Sequence, residues 1–105
     1  MLGRAVRRKF PGEWNVFCPT RSEFDLCIAD AASEALNAYE PDAVLNCAAL
    51  TDVDLCEREQ GRAFEVNCLA VARLSSACTS SKVPLYHIGT DYVFDGTANA
   101  PIAYI

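Results

Sequence analysis

Short apolar segments alternate with helical segments along this chain, and this alternation is what most constrains its fold. Two helical segments end at proline, one at Pro11-Gly12 and the other at Pro41-Asp42. Apolar strands separated by helices are typical of a parallel sheet covered on both faces, so we predict a doubly wound α/β fold. The predicted helices are 2–10, 31–39, 52–59 and 62–80, and the predicted strands are 14–18, 43–47 and 83–88.

Composition limits the class of protein. The chain has 105 residues, of which 51% are hydrophobic, so it forms at most one small domain. A net charge of −5 argues against a nucleic-acid surface, and neither a membrane span nor a signal peptide is predicted. The six cysteines form no Cys-x-x-Cys pair, so we expect buried free thiols in a cytoplasmic protein. A single histidine, His87, without an acidic cluster predicts no metal site.

A hydroxyl and a carboxylate, Thr90 and Asp91, follow the predicted strand 83–88. In a doubly wound sheet, ligands bind just beyond the carboxyl ends of the strands. We therefore expect both side chains to face a ligand crevice. The polar pair opens the run Thr90-Asp91-Tyr92-Val93-Phe94-Asp95-Gly96.

Small residues follow the predicted strand 43–47, in the order Ala48-Ala49-Leu50-Thr51. Small side chains let a flat ligand approach the backbone closely, which predicts a binding loop. The alternative is an ordinary strand-to-helix turn in which Thr51 caps or precedes the helix, with Asp52 favourably placed at its N-terminus.

Asn67 lies among apolar residues in the predicted helix 62–80. If it is buried, its amide must find partners, and we expect it to bond across to a neighbouring strand; a half-exposed helix asparagine is the alternative. The apolar periodicity predicts an inward face for this helix at Phe64, Cys68, Val71, Ala72, Ser75 and Cys78.

Arg21 and Asp25 lie in an irregular stretch after the predicted strand 14–18. The adenosine half of a dinucleotide lies in this part of such folds. The guanidinium of Arg21 can hold a ribose 2′-phosphate, and Asp25 can accept a hydrogen bond from the adenine amino group. A surface turn with capping residues is the alternative.

These segments together resemble the extended short-chain dehydrogenase/reductase superfamily, and most closely the dTDP-4-dehydrorhamnose reductase family. The resemblance covers nearly the whole chain, and its most specific part is the run from Thr90 to Gly96. The other matching segments are 1–6, 25–26, 41–49, 51–54, 56–57 and 63–67.

The resemblance implies a partial NAD(P)-binding Rossmann-type domain over residues 1–105, which lacks its first strand and the C-terminal substrate domain. It implies NADPH or NADH as cofactor and hydride transfer to the 4-keto group of dTDP-4-dehydro-L-rhamnose. The full-length protein is expected to be cytoplasmic and to be able to form a homodimer. The implied cofactor contacts are Met1, Leu2, Arg21, Asp25, Leu26, Ala48, Ala49, Leu50 and Thr51, and Thr90 and Asp91 are the implied substrate contacts, with Thr90 catalytic.

The chain departs from this family in one respect that matters for catalysis. The family's proton donor is the tyrosine of a Tyr-x-x-x-Lys motif, and Tyr104 lies too close to Thr90 to take that role. Without that proton donor, and without the first strand, which lies in the middle of the usual strand order, we expect the isolated chain to be a fragment that folds poorly and does not turn over. The alternative function is that of a non-catalytic regulatory subunit of methionine adenosyltransferase with the same fold. The segment Thr51-Asp52-Val53-Asp54 looks more like the reductases.

Overall fold

A computed structural model of the protein describes residues 2–90 and Thr97. The two strands pair in parallel, with Val44 opposite Leu85 and Asn46 opposite His87. The predicted α/β class is confirmed, and the second helix has the predicted bounds. The elements are α1 (Leu2–Arg7), α2 (Ala31–Tyr39), β1 (Val44–Asn46), α3 (Val53–Arg58), α4 (Gln60–Phe64), a π-helical turn (Glu65–Leu69), α5 (Ala70–Ser81) and β2 (Leu85–His87).

The core lies between one face of the sheet and the helices α2 and α5. Val44 and Leu85 are directly opposite each other in the sheet, so both side chains point to this face. The next pair along, Leu45 and Tyr86, is 39% and 62% exposed. Within residues 2–90, only one face of the sheet is therefore well covered, whereas cover on both faces was predicted. The buried core residues are Ala32, Leu36, Leu74, Ala77 and Cys78, with Leu26, Val44, Val83 and Leu85 packed against them.

The strand predicted at residues 14–18 is absent from the described structure, where this segment is irregular. A strand needs a backbone partner, and β1 and β2 pair with each other and not with this segment. The aromatic side chains form local contacts instead. Trp14 stacks on Phe10 with ring centroids 5.2 Å apart, and Phe17 stacks on Tyr39 at 3.7 Å.

The helix predicted at 62–80 forms, but most of its predicted inward face is wrong. Phe64, Cys68, Ala72 and Ser75 are exposed, whereas Cys78 is buried as expected. Small residues and Leu74 instead form the face that packs on α2, and small side chains let two helices approach closely. The buried residues of α5 are Ala70, Leu74, Ala77 and Cys78.

All six cysteines lie within the described residues and are free thiols, as predicted. Their predicted burial is wrong for five of them, since only Cys78 is buried. Burial raises the pKa of the Cys78 thiol. Cys27 is half-buried, and its pKa is raised first by desolvation and then by the charge of Asp25.

Both long helices end at a residue with a left-handed backbone, just before the chain enters a strand. These residues are Glu40 (φ 43°) after α2 and Lys82 (φ 56°) after α5. The backbone N–H of each bonds back to the last turn, to Leu36 O and Cys78 O respectively. Each reversal leads into a parallel strand, so the carboxyl ends of β1 and β2 lie at the same edge of the sheet.

Candidate functional site

The candidate site is the loop that leaves the carboxyl end of β1, residues 47–52, which we call the β1 loop. Ala48, Ala49 and Thr51 are exposed, and Leu50 is half-buried. The loop therefore offers a backbone surface with little side-chain cover. It lies beside the carboxyl end of β2, because Asn46 and His87 are directly opposite each other in the parallel pair.

Asn46 holds the start of the β1 loop. Its side chain is buried, with 5% exposure, and its Oδ1 accepts a hydrogen bond from the backbone N–H of Ala48 at 2.9 Å. Its Nδ2 lies 3.2 Å from Nδ1 of His87. A buried amide needs partners for both of its ends, and these two contacts provide them. We had not assigned a site role to either Asn46 or His87 from the sequence.

Asn67 holds the middle of the β1 loop from the π-helical turn. Its Oδ1 accepts from the Leu50 N–H at 2.8 Å, and its Nδ2 donates to the Leu50 carbonyl at 2.9 Å. The Cys56 thiol donates to the same carbonyl at 3.4 Å. We expected Asn67 to bond to a strand; it bonds instead to the loop that follows one. Asn67 is exposed, in line with the alternative that the sequence left open, and its position among apolar residues was the signal for these contacts.

Asp52 caps α3 and so fixes the end of the β1 loop. Its Oδ1 accepts from the backbone N–H of Leu55 at 2.9 Å, in the usual geometry of a helix N-cap. Thr51 precedes this cap and is exposed. Of the alternatives that the sequence left open, the structure favours Asp52 as the cap, which leaves the Thr51 hydroxyl on the loop surface.

The start of α1 lies close to the β1 loop. A Cβ added at Gly3 would be 3.7 Å from Cβ of Cys47, which is an ordinary contact distance. The structure therefore brings the segment that contains Leu2 beside the end of β1. Met1 lies outside the described residues.

Arg21, Asp25 and Leu26 form a second group. Oδ2 of Asp25 is 3.5 Å from Nε of Arg21, and its Oδ1 accepts from the Cys27 N–H at 3.0 Å. The Cys27 hydrogen bond is the main cause that lowers the pKa of Asp25, with a smaller contribution from the Arg21 charge. Leu26 is half-buried against the core. The two polar groups that we expect to contact adenosine therefore contact each other.

Arg73 ties the Asp25 segment to the π-helical turn. Its Nη1 donates to the Cys27 carbonyl at 3.1 Å and also to the carboxylate of Glu65. The turn is thus joined to the β1 loop through Asn67 and to the segment after Asp25 through Arg73. The predicted cofactor contacts on both segments are connected by one stretch of helix.

Thr90 follows β2 and is exposed. Asp91 and the rest of the run to Gly96 lie outside the described residues, as does Tyr104. Among residues 2–90 and Thr97, no group of three or more His, Cys, Asp or Glu side chains is arranged to hold a metal ion. In the same part of the chain, no helix is long and apolar enough to cross a membrane.

Comparisons with known proteins identify relatives of this chain. The family model of the RmlD substrate binding domain matches residues 1–104. The probable low-salt glycan biosynthesis reductase Agl14 of Haloferax volcanii is 40% identical over 95 residues, which are 90% of this chain and 31% of that protein. The dTDP-4-dehydrorhamnose reductase of Aggregatibacter actinomycetemcomitans is 33% identical over 97 residues, or 90% of this chain and 33% of that protein. The chain spans about a third of the length of these relatives.

Solved structures of dTDP-4-dehydrorhamnose reductases have the same fold as this chain. The dTDP-4-dehydrorhamnose reductase of Clostridium acetobutylicum superposes with a TM-score of 0.83 at 35% identity, over 96% of this chain and 36% of that one. The reductase of Bacillus anthracis, solved in complex with NADP, gives a TM-score of 0.86 at 24% identity, over 92% of this chain and 35% of that one, which shows the shared fold. The chain therefore belongs to the RmlD substrate binding domain family, the family of the dTDP-4-dehydrorhamnose reductases.

Proposed function

We propose that this chain supplies the cofactor-binding part of an NADPH-dependent reductase that acts on dTDP-4-dehydro-L-rhamnose. The observation that carries the proposal is the β1 loop, which lies at the carboxyl ends of two parallel strands and is held by Asn46 and Asn67. Ligands of open α/β sheets bind at this edge. A loop held at Ala48 and Leu50, with small exposed side chains, offers a rigid surface for a planar ligand.

The cofactor supplies the hydride, and the residues of this chain bind and orient the reactants. We assign Met1 and Leu2 to the pyrophosphate, Asp25 and Leu26 to the adenine, and Ala48, Ala49, Leu50 and Thr51 to the middle of the cofactor. Arg21 is 64% exposed in its side chain and so is available to a ribose 2′-phosphate, which favours NADPH over NADH.

Thr90 and Asp91 are assigned to the substrate. A hydroxyl that donates to the 4-keto oxygen stabilises the negative charge that develops there as the hydride reaches the carbon. The oxygen must then take a proton from a general acid. None of Tyr39, Tyr86 and Tyr92 is followed by a lysine four residues later. We therefore assign this general acid to none of the three.

Cofactor binding is tested by titrating NADPH and NADH into the chain and three variants, with isothermal calorimetry. Ala49→Glu places a bulky carboxylate on the β1 loop and should weaken NADPH binding by more than about tenfold, because it blocks close approach and repels the phosphates. Ala38→Glu, at an exposed position of α2, is the matched control and should bind as the wild type does. Arg21→Ala should weaken NADPH binding and leave NADH binding unchanged. Equal affinities of Ala49→Glu and wild type would contradict the assignment of the loop.

The reductase activity is tested in a chimera in which this chain replaces the matching segment of the Clostridium acetobutylicum reductase. The chimera should oxidise NADPH when dTDP-4-dehydro-L-rhamnose is added. Thr90→Val keeps the shape of the side chain without its hydroxyl, and should lower kcat more than it raises KM, because the contact strengthens in the transition state. A folded chimera that binds NADPH but does not reduce the sugar would contradict the proposed substrate.

A further inference from the structure

We propose that His87 is a positioning residue, whose unprotonated Nδ1 fixes the Asn46 side chain and through it the backbone N–H of Ala48. That the positioned group belongs to a cofactor site rests on the proposed function. The chain of contacts runs from β2 through β1 into the β1 loop, from His87 Nδ1 to Asn46 Nδ2 at 3.2 Å and from Asn46 Oδ1 to Ala48 N at 2.9 Å.

The donors and acceptors leave one arrangement of these three groups. A backbone N–H can only donate, so the atom of Asn46 that faces Ala48 must be its oxygen. The amide nitrogen of Asn46 then faces His87, and an NH2 group also can only donate. Nδ1 of His87 must therefore accept, which requires the neutral imidazole with its proton on Nε2.

Rotating the Asn46 amide by half a turn does not offer an alternative. The oxygen would then face His87, and the NH2 group would lie against the Ala48 N–H, two donors 2.9 Å apart. Asn46 is only 5% exposed, so water has little access to repair the lost contact. The state of the His87 ring and the position of the Ala48 N–H are thus linked through one buried side chain.

The geometry of the sheet makes this link direct. Asn46 and His87 are register partners in the parallel pair, so their side chains leave the same face next to each other. A backbone hydrogen bond also joins the two strands at this point, since the N–H of Ile88, the residue after His87, donates to the Asn46 carbonyl at 3.2 Å. His87 itself is exposed, so its ring can be replaced without opening the core.

The tautomer is tested first, in the unmodified chain, by two-bond proton–nitrogen correlation spectra of the histidine ring. The expected result is a proton on Nε2 and a bare Nδ1. A ring with its proton on Nδ1 would overturn the proposal without any variant, because the Asn46 amide would then have no acceptor on that side.

Two variants then separate positioning from packing. His87→Leu removes the acceptor, whereas His87→Asn offers an amide oxygen near the position of Nδ1. We expect His87→Leu to shift the Ala48 amide resonance and to weaken NADPH binding by about tenfold, the size expected when a buried amide loses one hydrogen bond. His87→Asn should restore both values to near those of the wild type.

The outcomes distinguish this proposal from the proposed function. If the wild type does not bind NADPH, the cofactor assignment fails, while the tautomer and the Ala48 resonance still decide whether His87 positions the loop. If His87→Leu leaves the Ala48 resonance and NADPH affinity unchanged, the positioning role is wrong. If His87→Leu does not fold, a His87→Asn variant with a displaced Ala48 resonance contradicts the proposal, and one with an unchanged resonance supports it.

Discussion

Replacing Asn67 by alanine tests whether the β1 loop depends on the π-helical turn. The substitution removes the two hydrogen bonds to Leu50, at 2.8 Å and 2.9 Å. Each such bond contributes about 1 kcal/mol net. The Leu50 carbonyl keeps the Cys56 thiol as a donor, so only its N–H loses its described partner. Because Asn67 is exposed, water can reach the site, and we expect a loss of about 1 kcal/mol, or about fivefold in the equilibrium between held and released loop.

Hydrogen exchange of the Leu50 amide is the direct assay, since this N–H is the group released. We expect its exchange to accelerate by about fivefold in Asn67→Ala, and NADPH affinity to fall by a similar factor. Asn67→Asp keeps an acceptor for the Leu50 N–H but sets an oxygen against its carbonyl, and should give an intermediate effect on exchange. Asn37→Ala, at an exposed position of α2, is the control. Unchanged Leu50 exchange in Asn67→Ala would refute the reasoning.

Two further results are expected. The pKa of Asp25 is lowered, chiefly by the hydrogen bond from the Cys27 N–H. The stability that this carboxylate contributes is therefore present above its unfolded pKa and is lost as the pH falls through its folded pKa. Asp25→Asn should lose less stability in acid than the wild type, as measured by urea unfolding across the acid range. A thiol-reactive dye should modify exposed Cys68 early and Cys78 last, because Cys78 is 2% exposed and burial raises its pKa; early modification of Cys78 would contradict the described core.

Local signals predicted the elements whose formation depends mainly on local sequence. The helix at 31–39 has the predicted bounds, since its apolar periodicity stops at Glu40 and Pro41. The two parallel strands lie within the predicted ranges, although each is three residues long. The strand expected at 14–18 failed for a non-local reason: its apolar composition favours extended backbone, but no strand lies beside it in the described structure.

The contacts that hold the candidate site could not be predicted in the same way. Asn46 and His87 are 41 residues apart, and their contact depends on the register of the two strands. Asn67 and Leu50 are 17 residues apart, and their contact depends on how the long helix is placed against the loop. Composition and periodicity carry no information about either placement. They do mark Asn46 and Asn67 as polar residues in apolar surroundings, which is a reason to look for partners.

The π-helical turn limits which insertions and deletions this helix can tolerate. Such a turn holds one residue more than an α-helical turn does. Deleting a residue within Glu65–Leu69 would restore α-helical winding and change the direction of nearby side chains by about 100°. Asn67 would then leave Leu50, while Arg73 and the buried face of α5 would keep their places. Insertions and deletions are therefore better tolerated before Gln60, where α4 begins at exposed residues. A relative that lacks one residue of the π-helical turn would need another contact to hold the β1 loop.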